Sequence, residues 1–244
     1  MGDSYGTVRS DGGPGERIGG GGAGPGAQAG PPLPSRVARP PAEVPPAGVG
    51  PVRARRRRPV IVGLGGAPRT DSVTHRVLTA TLGTMAQAGA EVIPFGPAEL
   101  DLPLYVHDRP ERTPAALRLL AAVERCDALV IATPGGHGGM SGSVKNALDY
   151  LEDLRAAPRP FLDGRAVGLI VAAQGSQAAG ATLAALRSTV HALRGWPTPL
   201  GVTFGATDAV VDVHGRVHDP ETVGKLETLV DQIMGFTYAW SQVI

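Results

Sequence analysis

The stretch Val60-Ile61-Val62-Gly63-Leu64-Gly65-Gly66-Ala67-Pro68-Arg69-Thr70-Asp71-Ser72 decides the fold. A short run of aliphatic, largely β-branched residues that ends in glycines is typical of a buried parallel strand. Residues 72–88 then carry apolar side chains at helical spacing, and Gly89 is placed to cap the end of that helix. The stretch therefore predicts a strand, a glycine-rich loop and a helix in immediate succession.

The same alternation of strand and helix continues along the chain. Strands are predicted over 91–95, 127–133, 166–172 and 199–204, and helices over 114–125, 142–155, 180–194 and 219–240. Repeated units of this kind produce right-handed crossovers and a parallel sheet that is covered on both faces. We therefore expect an α/β fold with a flavodoxin-like, doubly wound sheet of five parallel strands and helices on both faces.

Residues 1–58 differ in composition from the rest of the chain. They contain 14 glycines and 10 prolines and only one aromatic residue, Tyr5. Such a segment cannot bury enough apolar surface to offset the entropy of ordering it, so we predict a disordered tail over 1–58 and one folded domain over 59–244. The tail ends in the basic run 53–58, for which a solvated stretch is favoured over a contact with nucleic acid or an anionic surface.

The composition excludes several classes of protein. A net charge of +1 argues against a protein that binds nucleic acid through bulk electrostatics. The single cysteine, Cys126, excludes an intrachain disulfide framework and a cysteine-based metal site, and its position beside a strand indicates a packed side chain. No apolar run approaches the roughly 18–20 residues that cross a membrane, and the first residues lack a signal sequence. A cytoplasmic protein is expected.

Ligands of an open parallel sheet bind beyond the carboxyl ends of the strands, where the strand order reverses. The first loop at that edge covers residues 65–74. Its glycines let the main chain approach an anion, the start of the following helix attracts phosphate, and Arg69, Ser72 and Thr74 supply donors. Because the loop has neither a Walker A sequence nor G-x-G-x-x-G spacing, a single mononucleotide phosphate matches it better than a pyrophosphate. The alternative is that Ser72 or Asp71 only caps the helix.

The second loop covers residues 133–141 and the third covers residues 173–180. Both connect a strand to a helix and are poor in bulky side chains, so a planar ring can lie against their main chain and meet its N–H groups. His137 is a candidate acid–base or ring-stacking group, although a histidine that points to solvent is the favoured interpretation. Three such loops at one edge carry more weight together than separately. The alternative is that their glycines have no role in binding, because glycines are common in connecting loops.

Three segments carry a resemblance to a known family. They are Gly66-Ala67-Pro68-Arg69-Thr70-Asp71-Ser72, Asp101-Leu102-Pro103-Leu104-Tyr105 and Gly142-Ser143-Val144-Lys145-Asn146-Ala147-Leu148-Asp149-Tyr150-Leu151. Over residues 59–198 the chain resembles the NAD(P)H-dependent FMN reductases, a family of flavodoxin-like proteins. It departs from the family pattern at Ala67, Gly136 and Gly139, where Ser, Tyr and Ser are usual. These departures should weaken flavin contacts or enlarge the pocket.

The resemblance implies FMN and either NADPH or NADH as cofactors, with hydride transfer from the nicotinamide to the flavin. It assigns the flavin phosphate to Gly66, Arg69, Ser72 and Thr74, and the isoalloxazine ring to Pro134, Gly135, Gly136, His137 and Gly138, with Gly175 and Ser176 at its far edge. Hydride transfer requires no protein base, so no catalytic side chain is assigned. The resemblance also implies a homodimer or homotetramer with helix 142–155 at the interface.

Three functions remain open at this point. The first is an FMN reductase that supplies reduced flavin to a partner monooxygenase. The second is a flavoenzyme that keeps its FMN and reduces a small-molecule acceptor, such as a quinone, an azo or nitro compound or a biosynthetic intermediate. The third is a non-catalytic flavin-binding protein. The first two differ in whether FMN leaves with its electrons, and the third predicts no NAD(P)H oxidation with any acceptor.

Overall fold

The computed structural model describes residues 57–206, 212 and 216–241. The strands are β1 (Val60–Gly65), β2 (Glu91–Phe95), β3 (Ala128–Pro134), β4 (Ala166–Ala173), β5 (Trp196–Pro197) and β6 (Val202–Gly205). The helices are α1 (Val73–Gln87), α2 (Pro114–Arg125), α3 (Gly142–Asp149), α4 (Ser176–Ala192) and α5 (Pro220–Trp240), and a 3-10 helix covers Tyr150–Leu154. The predicted tail over 1–58 lies outside the described residues except for its last two positions.

The strands form one parallel sheet with the order β2-β1-β3-β4, and both β5 and β6 pair with β4 at its outer side. The register places Gly65 of β1 beside Ala132 of β3, and Pro134 of β3 beside Ala172 of β4. The chain moves outward from β1 to β2 and then returns to the other side of β1 to form β3. This arrangement confirms the predicted doubly wound α/β fold.

Two hydrophobic cores cover the two faces of the sheet. Helices α2, α3 and α4 pack on one face, where Leu129 and Leu169 of the sheet are fully buried. Helices α1 and α5 pack on the other face, where Ile61 and Ile170 are fully buried. Because every residue of β4 and nearly every residue of β1 and β3 is buried, these strands lack polar alternation, as is typical of a parallel sheet covered on both sides.

The edge of the sheet beyond β4 differs from the prediction. A single strand over 199–204 is expected, but the structure has two short strands separated by residues 198–201. The Thr198 N–H still donates to the Val167 carbonyl of β4 at 3.0 Å, but side chains bond the main chain of Leu200. The Thr198 hydroxyl donates to the Leu200 carbonyl at 2.7 Å, and the Leu200 N–H donates to Gln232 Oε1 at 3.0 Å. Pro199 has no N–H to offer to the ladder, so the strand is interrupted there.

Two predicted helices also have different bounds. The helix expected over 142–155 ends at Asp149, and the tighter 3-10 turns that follow hold Tyr150 and Asp153 against the segment after β2. The helix expected from residue 180 begins at Ser176, because Gly175 is extended and acts as its N-cap. The predicted cap at Gly89 is confirmed. Its φ is 95°, and the N–H of Ala90 reaches back to the Met85 carbonyl at 3.0 Å.

A buried arginine at the amino ends of β3 and β4 binds main-chain carbonyls of the segments that lead into these strands. Arg165 is fully buried, and its guanidinium donates to the carbonyls of Glu124 at 2.7 Å and Cys126 at 3.2 Å, at the end of α2. It also donates to three carbonyls within residues 159–163. The negative end of the α2 dipole favours a cation here, so the charge is balanced by main-chain groups. Cys126 is fully buried as predicted, and burial raises the pKa of its thiol to about 11.

Candidate flavin site

Three loops meet at the edge formed by the carboxyl ends of neighbouring strands. They are residues 66–72 after β1, residues 135–141 after β3 and residues 174–175 after β4. Since β1 and β3 are adjacent and the chain leaves them in opposite directions across the sheet, the first two loops border the point where the strand order reverses. Open parallel sheets bind their ligands at this point. All the residues predicted for the site lie in these loops or in the adjoining residues.

The first loop leads into the amino end of α1. Ser72 caps this helix, with its Oγ accepting a hydrogen bond from the His75 N–H at 3.2 Å. Ser72 therefore has the capping role that the sequence analysis gave as an alternative to phosphate binding. By helix geometry the N–H groups of Val73 and Thr74 have no acceptor within the helix, so they are free for an anion at the positive end of its dipole. Thr74 itself is 4% exposed, so its side chain lies beneath this surface.

Arg69 faces a carboxylate of its own loop. Its Nε donates to Asp71 Oδ1 at 2.9 Å and its Nη2 donates to Asp71 Oδ2 at 2.5 Å, although both side chains are largely exposed. The hydrogen bond from Arg69 holds the pKa of Asp71 below its usual range, and the same bond raises the pKa of Arg69. The guanidinium predicted for a phosphate is thus paired with an ionised carboxylate two residues away.

Gly66 brings the first loop against the start of α3. A Cβ at this position would lie 2.2 Å from Val144 Cγ2 and 2.5 Å from Ser141 Oγ, so no larger residue fits without a shift of the loop. The Gly66 N–H donates to the Ala132 carbonyl at 2.8 Å, and its carbonyl accepts from the Ser143 hydroxyl at 3.2 Å. Its N–H is therefore used within the sheet. A residue without a side chain is needed here because the first loop lies so close to the end of the second loop and the start of α3.

The second loop contains a tight turn that the sequence reasoning missed. The N–H of Gly139 donates to the Gly136 carbonyl at 3.0 Å, and the two central residues have positive φ angles, 51° at His137 and 78° at Gly138. Positive φ at both central positions defines a type I′ turn. A His-Gly pair between two glycines is the sequence signal for it, because type I′ turns require residues that tolerate positive φ. His137 is exposed at the tip of this turn.

Two neighbouring glycines of the second loop have opposite surroundings. A Cβ on Gly135 would lie 3.0 Å from both Ala173 Cβ and Thr182 Oγ1, so a side chain there would be tightly packed against β4 and α4. The Thr182 hydroxyl is fully buried and has no hydrogen-bond partner among the described residues. A Cβ on Gly136 would meet no heavy atom within 4 Å. The space next to Gly136, where the family usually has a tyrosine, is therefore open.

The third loop is short and exposed. Gly175 is the N-cap of α4 and offers no side-chain oxygen to it, and Ser176 is the first residue of the helix. Both residues are exposed. Helix α4 also approaches the second loop, since a Cβ on Gly138 would lie 3.6 Å from Ala181 Cβ. The amino end of α4 therefore presents unpaired main-chain N–H groups beside the turn of the second loop.

Asn146 joins two segments that the sequence analysis singled out separately. Its Oδ1 accepts from the Tyr105 N–H at 2.8 Å, and its Nδ2 donates to the carbonyls of Pro103 at 2.9 Å and Leu102 at 3.2 Å. The Tyr150 hydroxyl also donates to the Pro103 carbonyl at 3.0 Å. The segment 101–105 is thus tied to the helix that follows the second loop. No periodicity or spacing in the sequence predicts this contact.

A cluster of Tyr105, Arg112 and Asp153 links the end of the segment 101–105 to the 3-10 helix. Arg112 donates to the Asp153 carboxylate from Nε at 2.5 Å and from Nη2 at 3.0 Å, and the Tyr105 hydroxyl donates to Asp153 Oδ1 at 3.0 Å. The bond from Arg112 lowers the pKa of Asp153, while desolvation raises the pKa of Tyr105. The Arg112 guanidinium also lies 4.9 Å from the centre of the Tyr105 ring.

Within the described ranges, no group of three or more His, Cys, Asp or Glu side chains is arranged to hold a metal ion. In the same part of the chain, no helix has the length and apolar character that crossing a bilayer requires.

The fold defines a flavodoxin-like α/β protein with a candidate ligand site at this edge. The family model of the NADPH-dependent FMN reductases matches residues 59–209, which is more than half of the chain. The chain therefore belongs to the NADPH-dependent FMN reductase family. Membership implies FMN and a nicotinamide nucleotide as cofactors. The positive end of α1 suits the FMN phosphate, and the bare main chain from Gly135 to Gly139 suits a planar ring, so the residues present fit FMN.

Solved structures and one curated relative are similar to this chain. FerB, a flavoenzyme NAD(P)H:(acceptor) oxidoreductase from Paracoccus denitrificans, is 24% identical with a TM-score of 0.60, over 73% of this chain and 98% of that one. RosB with a bound flavin-derived intermediate is 15% identical with a TM-score of 0.62, over 75% of this chain and 81% of that one. These two likenesses concern the fold.

The curated relative is an NADPH azoreductase of Bacillus sp. (strain OY1-2). It is 38% identical over 61 residues, which are 25% of this chain and 34% of the relative. The match therefore spans about a third of the length of that relative.

Proposed function

We propose that this protein is an NAD(P)H-dependent flavin oxidoreductase that uses FMN with NADPH or NADH. The observation that carries the proposal is the meeting of the loops after β1, β3 and β4 at the carboxyl edge of a sheet of this family, beside the positive end of α1, with the first two loops at the reversal point. When bound, FMN supplies the redox chemistry, accepting a hydride from the nicotinamide and passing electrons to an acceptor. The protein supplies position and polarity.

For the phosphate, we propose the site built by Gly66, Arg69, Ser72 and Thr74. Arg69 supplies a charged donor, and the N–H groups at the start of α1 supply neutral donors. Gly66 contributes by allowing the loop to approach α3, because any side chain there would meet Val144. Ser72 contributes as the cap that fixes where α1 begins and therefore where its free N–H groups point.

For the isoalloxazine ring, we propose the main chain of Pro134, Gly135, Gly136, His137 and Gly138, with Gly175 and Ser176 at the far edge. The open space at Gly136 supports this proposal, because it leaves main chain accessible to a planar ligand. The half-buried Gly138 and the exposed amino end of α4 border the same space. We assign no side chain as a proton donor or acceptor.

The test is a visible absorption spectrum of the purified full chain with added FMN, followed by NADPH or NADH without oxygen. We expect bound flavin that bleaches when the nicotinamide is added. Absence of bound flavin at excess FMN, or bound flavin that no nicotinamide reduces, would support the non-catalytic alternative and overturn the proposal. Gel filtration of the reduced sample then separates two cases. Flavin that elutes free indicates a supply of reduced FMN to a monooxygenase, whereas flavin that stays bound indicates an acceptor reduced on the protein.

A second candidate, reduction of an organic acceptor by retained FMN, is favoured by the open space at Gly136. A tyrosine there would fill space that a bulky acceptor needs. We expect Gly136→Tyr to slow reduction of a large quinone or azo dye more than reduction of the bound flavin by NADPH. Gly139→Ser is the matched control, because it restores the other family residue without adding a ring. Equal effects of Gly136→Tyr on both half-reactions would contradict this candidate.

We also infer a cytoplasmic homodimer or homotetramer, with neither nucleic acid nor a membrane as a partner. Support for the association comes from Leu104, which is 80% exposed although its neighbours in the segment 101–105 are tied to α3. Leu104 lies on the segment that Asn146 ties to α3, the helix that the family resemblance places at the interface between copies. We expect Leu104→Asp to shift the mass measured by light scattering toward the monomer. An unchanged mass would remove Leu104 from the interface.

A further inference from the structure

The loop that is proposed for the flavin phosphate carries its own anion. Asp71 lies between Arg69 and the N-cap Ser72, and the Ser72 N–H donates to the Arg69 carbonyl at 3.2 Å. This turn folds residues 69–72 so that the Arg69 side chain reaches back to Asp71. The carboxylate then accepts two hydrogen bonds from the guanidinium, at 2.5 Å and 2.9 Å. Both oxygens of the carboxylate and one edge of the guanidinium are used by this contact.

A phosphate at this position would need a positive group that Asp71 already uses. This group is the Arg69 guanidinium, which binds carboxylate and phosphate with the same planar fork. Asp71 also directly precedes Ser72, the N-cap of α1, so its negative charge stands near the helix end that attracts a phosphate. Asp71 is ionised at neutral pH, because the hydrogen bond from Arg69 keeps its pKa low. Unless Asp71 turns away, its carboxylate repels a phosphate dianion that binds to Arg69.

We infer that Asp71 competes with the flavin phosphate for Arg69 and so lowers the preference of the site for FMN over riboflavin. This inference rests on the proposed function, since it assumes that the site binds flavin. Both side chains of the pair are mostly exposed, so the competitor can be displaced at modest cost. Asp71 thereby adjusts the affinity of the site for the phosphate of FMN. The second and third loops, which are proposed for the isoalloxazine ring, are unaffected by it.

The test measures dissociation constants for FMN and for riboflavin by quenching of flavin fluorescence. The ratio of the two constants isolates the phosphate, because both ligands have the same ring. We expect Asp71→Asn, which keeps the shape and removes the charge, to tighten FMN about three- to tenfold and to leave riboflavin unchanged. The unchanged riboflavin constant also reports that the ring site remains folded.

The matched control is Glu91→Gln. Glu91 forms an exposed ion pair with Arg125 at 2.6 Å, at the start of β2 and therefore at the opposite edge of the sheet. The substitution changes the net charge by the same amount as Asp71→Asn. It should leave the FMN-to-riboflavin ratio where it is in the unaltered chain.

A double-mutant cycle with Arg69→Ala identifies competition for the guanidinium. If Asp71 acts through Arg69, Asp71→Asn should improve FMN binding less when Arg69 is absent. An equal improvement in both backgrounds, or an unchanged ratio in Asp71→Asn alone, would overturn the inference while flavin binding itself persists. Failure of the unaltered chain to bind either flavin would instead refute the proposed function and the inference with it.

Discussion

The side chain of Asn146 binds the main chain of Tyr105, 41 residues earlier in the sequence, through a hydrogen bond of 2.8 Å from the Tyr105 N–H. The same amide donates to the carbonyls of Leu102 and Pro103, so three of its hydrogen-bonding positions are used within one short segment. Asn146 lies on α3, the helix that begins directly after the second loop of the site. These hydrogen bonds therefore hold the segment that carries exposed Leu104 against α3, the helix that follows the second loop.

Replacement of Asn146 by alanine should reduce the free energy of unfolding by about 2–4 kcal/mol, because three main-chain groups lose a partner that is 9% exposed. Urea denaturation followed by circular dichroism measures this change. Lys145→Ala is the control, since Lys145 is exposed and pairs with Asp149 on the same helix. A loss below about 0.5 kcal/mol, within the usual range of surface substitutions, would show that water replaces Asn146 easily.

The adjacent glycines of the second loop should respond differently to alanine. Gly135→Ala places a methyl group 3.0 Å from Ala173 Cβ and Thr182 Oγ1, so these neighbours must move by a few tenths of an ångström, and we expect a loss of about 1–3 kcal/mol in stability. Gly136→Ala places its methyl group in open space and should change stability by less than about 0.5 kcal/mol. Thermal unfolding of the two variants, measured side by side, makes the comparison. Equal melting temperatures would contradict the packing described for Gly135.

Hydrophobic runs and helical periods in the sequence were sufficient to predict most of the architecture. The β-branched run at Val60 and the apolar spacing from Val73 to Met85 predict β1 and α1 within one residue, because burial dictates both patterns. Breaks caused by tertiary contacts could not be predicted in this way. In the gap at residues 198–201, the partner of the Leu200 N–H is Gln232 of α5, which is distant in the sequence.

The glycines and hydroxyls of the site were predictable as a group, but their individual surroundings were not. Sequence alone places Gly66 and Gly135 in loops, whereas the structure explains them by contacts with Val144 and Thr182 from other elements. The pairing of Arg69 with Asp71 is local and was available from the spacing. It was missed because an arginine in a glycine-rich loop was considered only as a ligand for phosphate.

The type I′ turn of the second loop should prefer other residues to histidine at position 137. His137 has a φ of 51°, a region that asparagine and glycine occupy at lower cost. We expect His137→Asn to raise the free energy of unfolding by about 0.5 kcal/mol and His137→Val to lower it by about 1 kcal/mol or more, because a β-branched residue tolerates this region poorly. Chemical denaturation of both variants tests the order. Equal stabilities would indicate that the turn is not held in this geometry.

Arg165 should be one of the most sensitive positions outside the site. Replacement by methionine keeps much of the volume but leaves the carbonyls of Glu124, Phe161 and Asp163 without their donor, while the Cys126 carbonyl keeps its bond from Arg159. A loss of about 2–4 kcal/mol is expected from these unpaired groups. Arg125→Met removes an arginine that is 55% exposed and pairs with Glu91, so it should cost well under 1 kcal/mol. Similar losses for the two variants would contradict the role described for Arg165.

The ion pair of Asp153 with Arg112 should make stability depend on pH in the acid range. The folded chain holds the pKa of Asp153 below its usual value, chiefly through the hydrogen bond from Arg112, so the unfolded chain binds the proton more readily. The resulting stabilisation is complete at neutral pH and is lost as the pH falls below about 4. We expect Asp153→Asn to lower the unfolding free energy at pH 7 and to approach the unaltered chain near pH 3. Urea titrations at both pH values measure this, and a difference that stays constant with pH would refute the assignment.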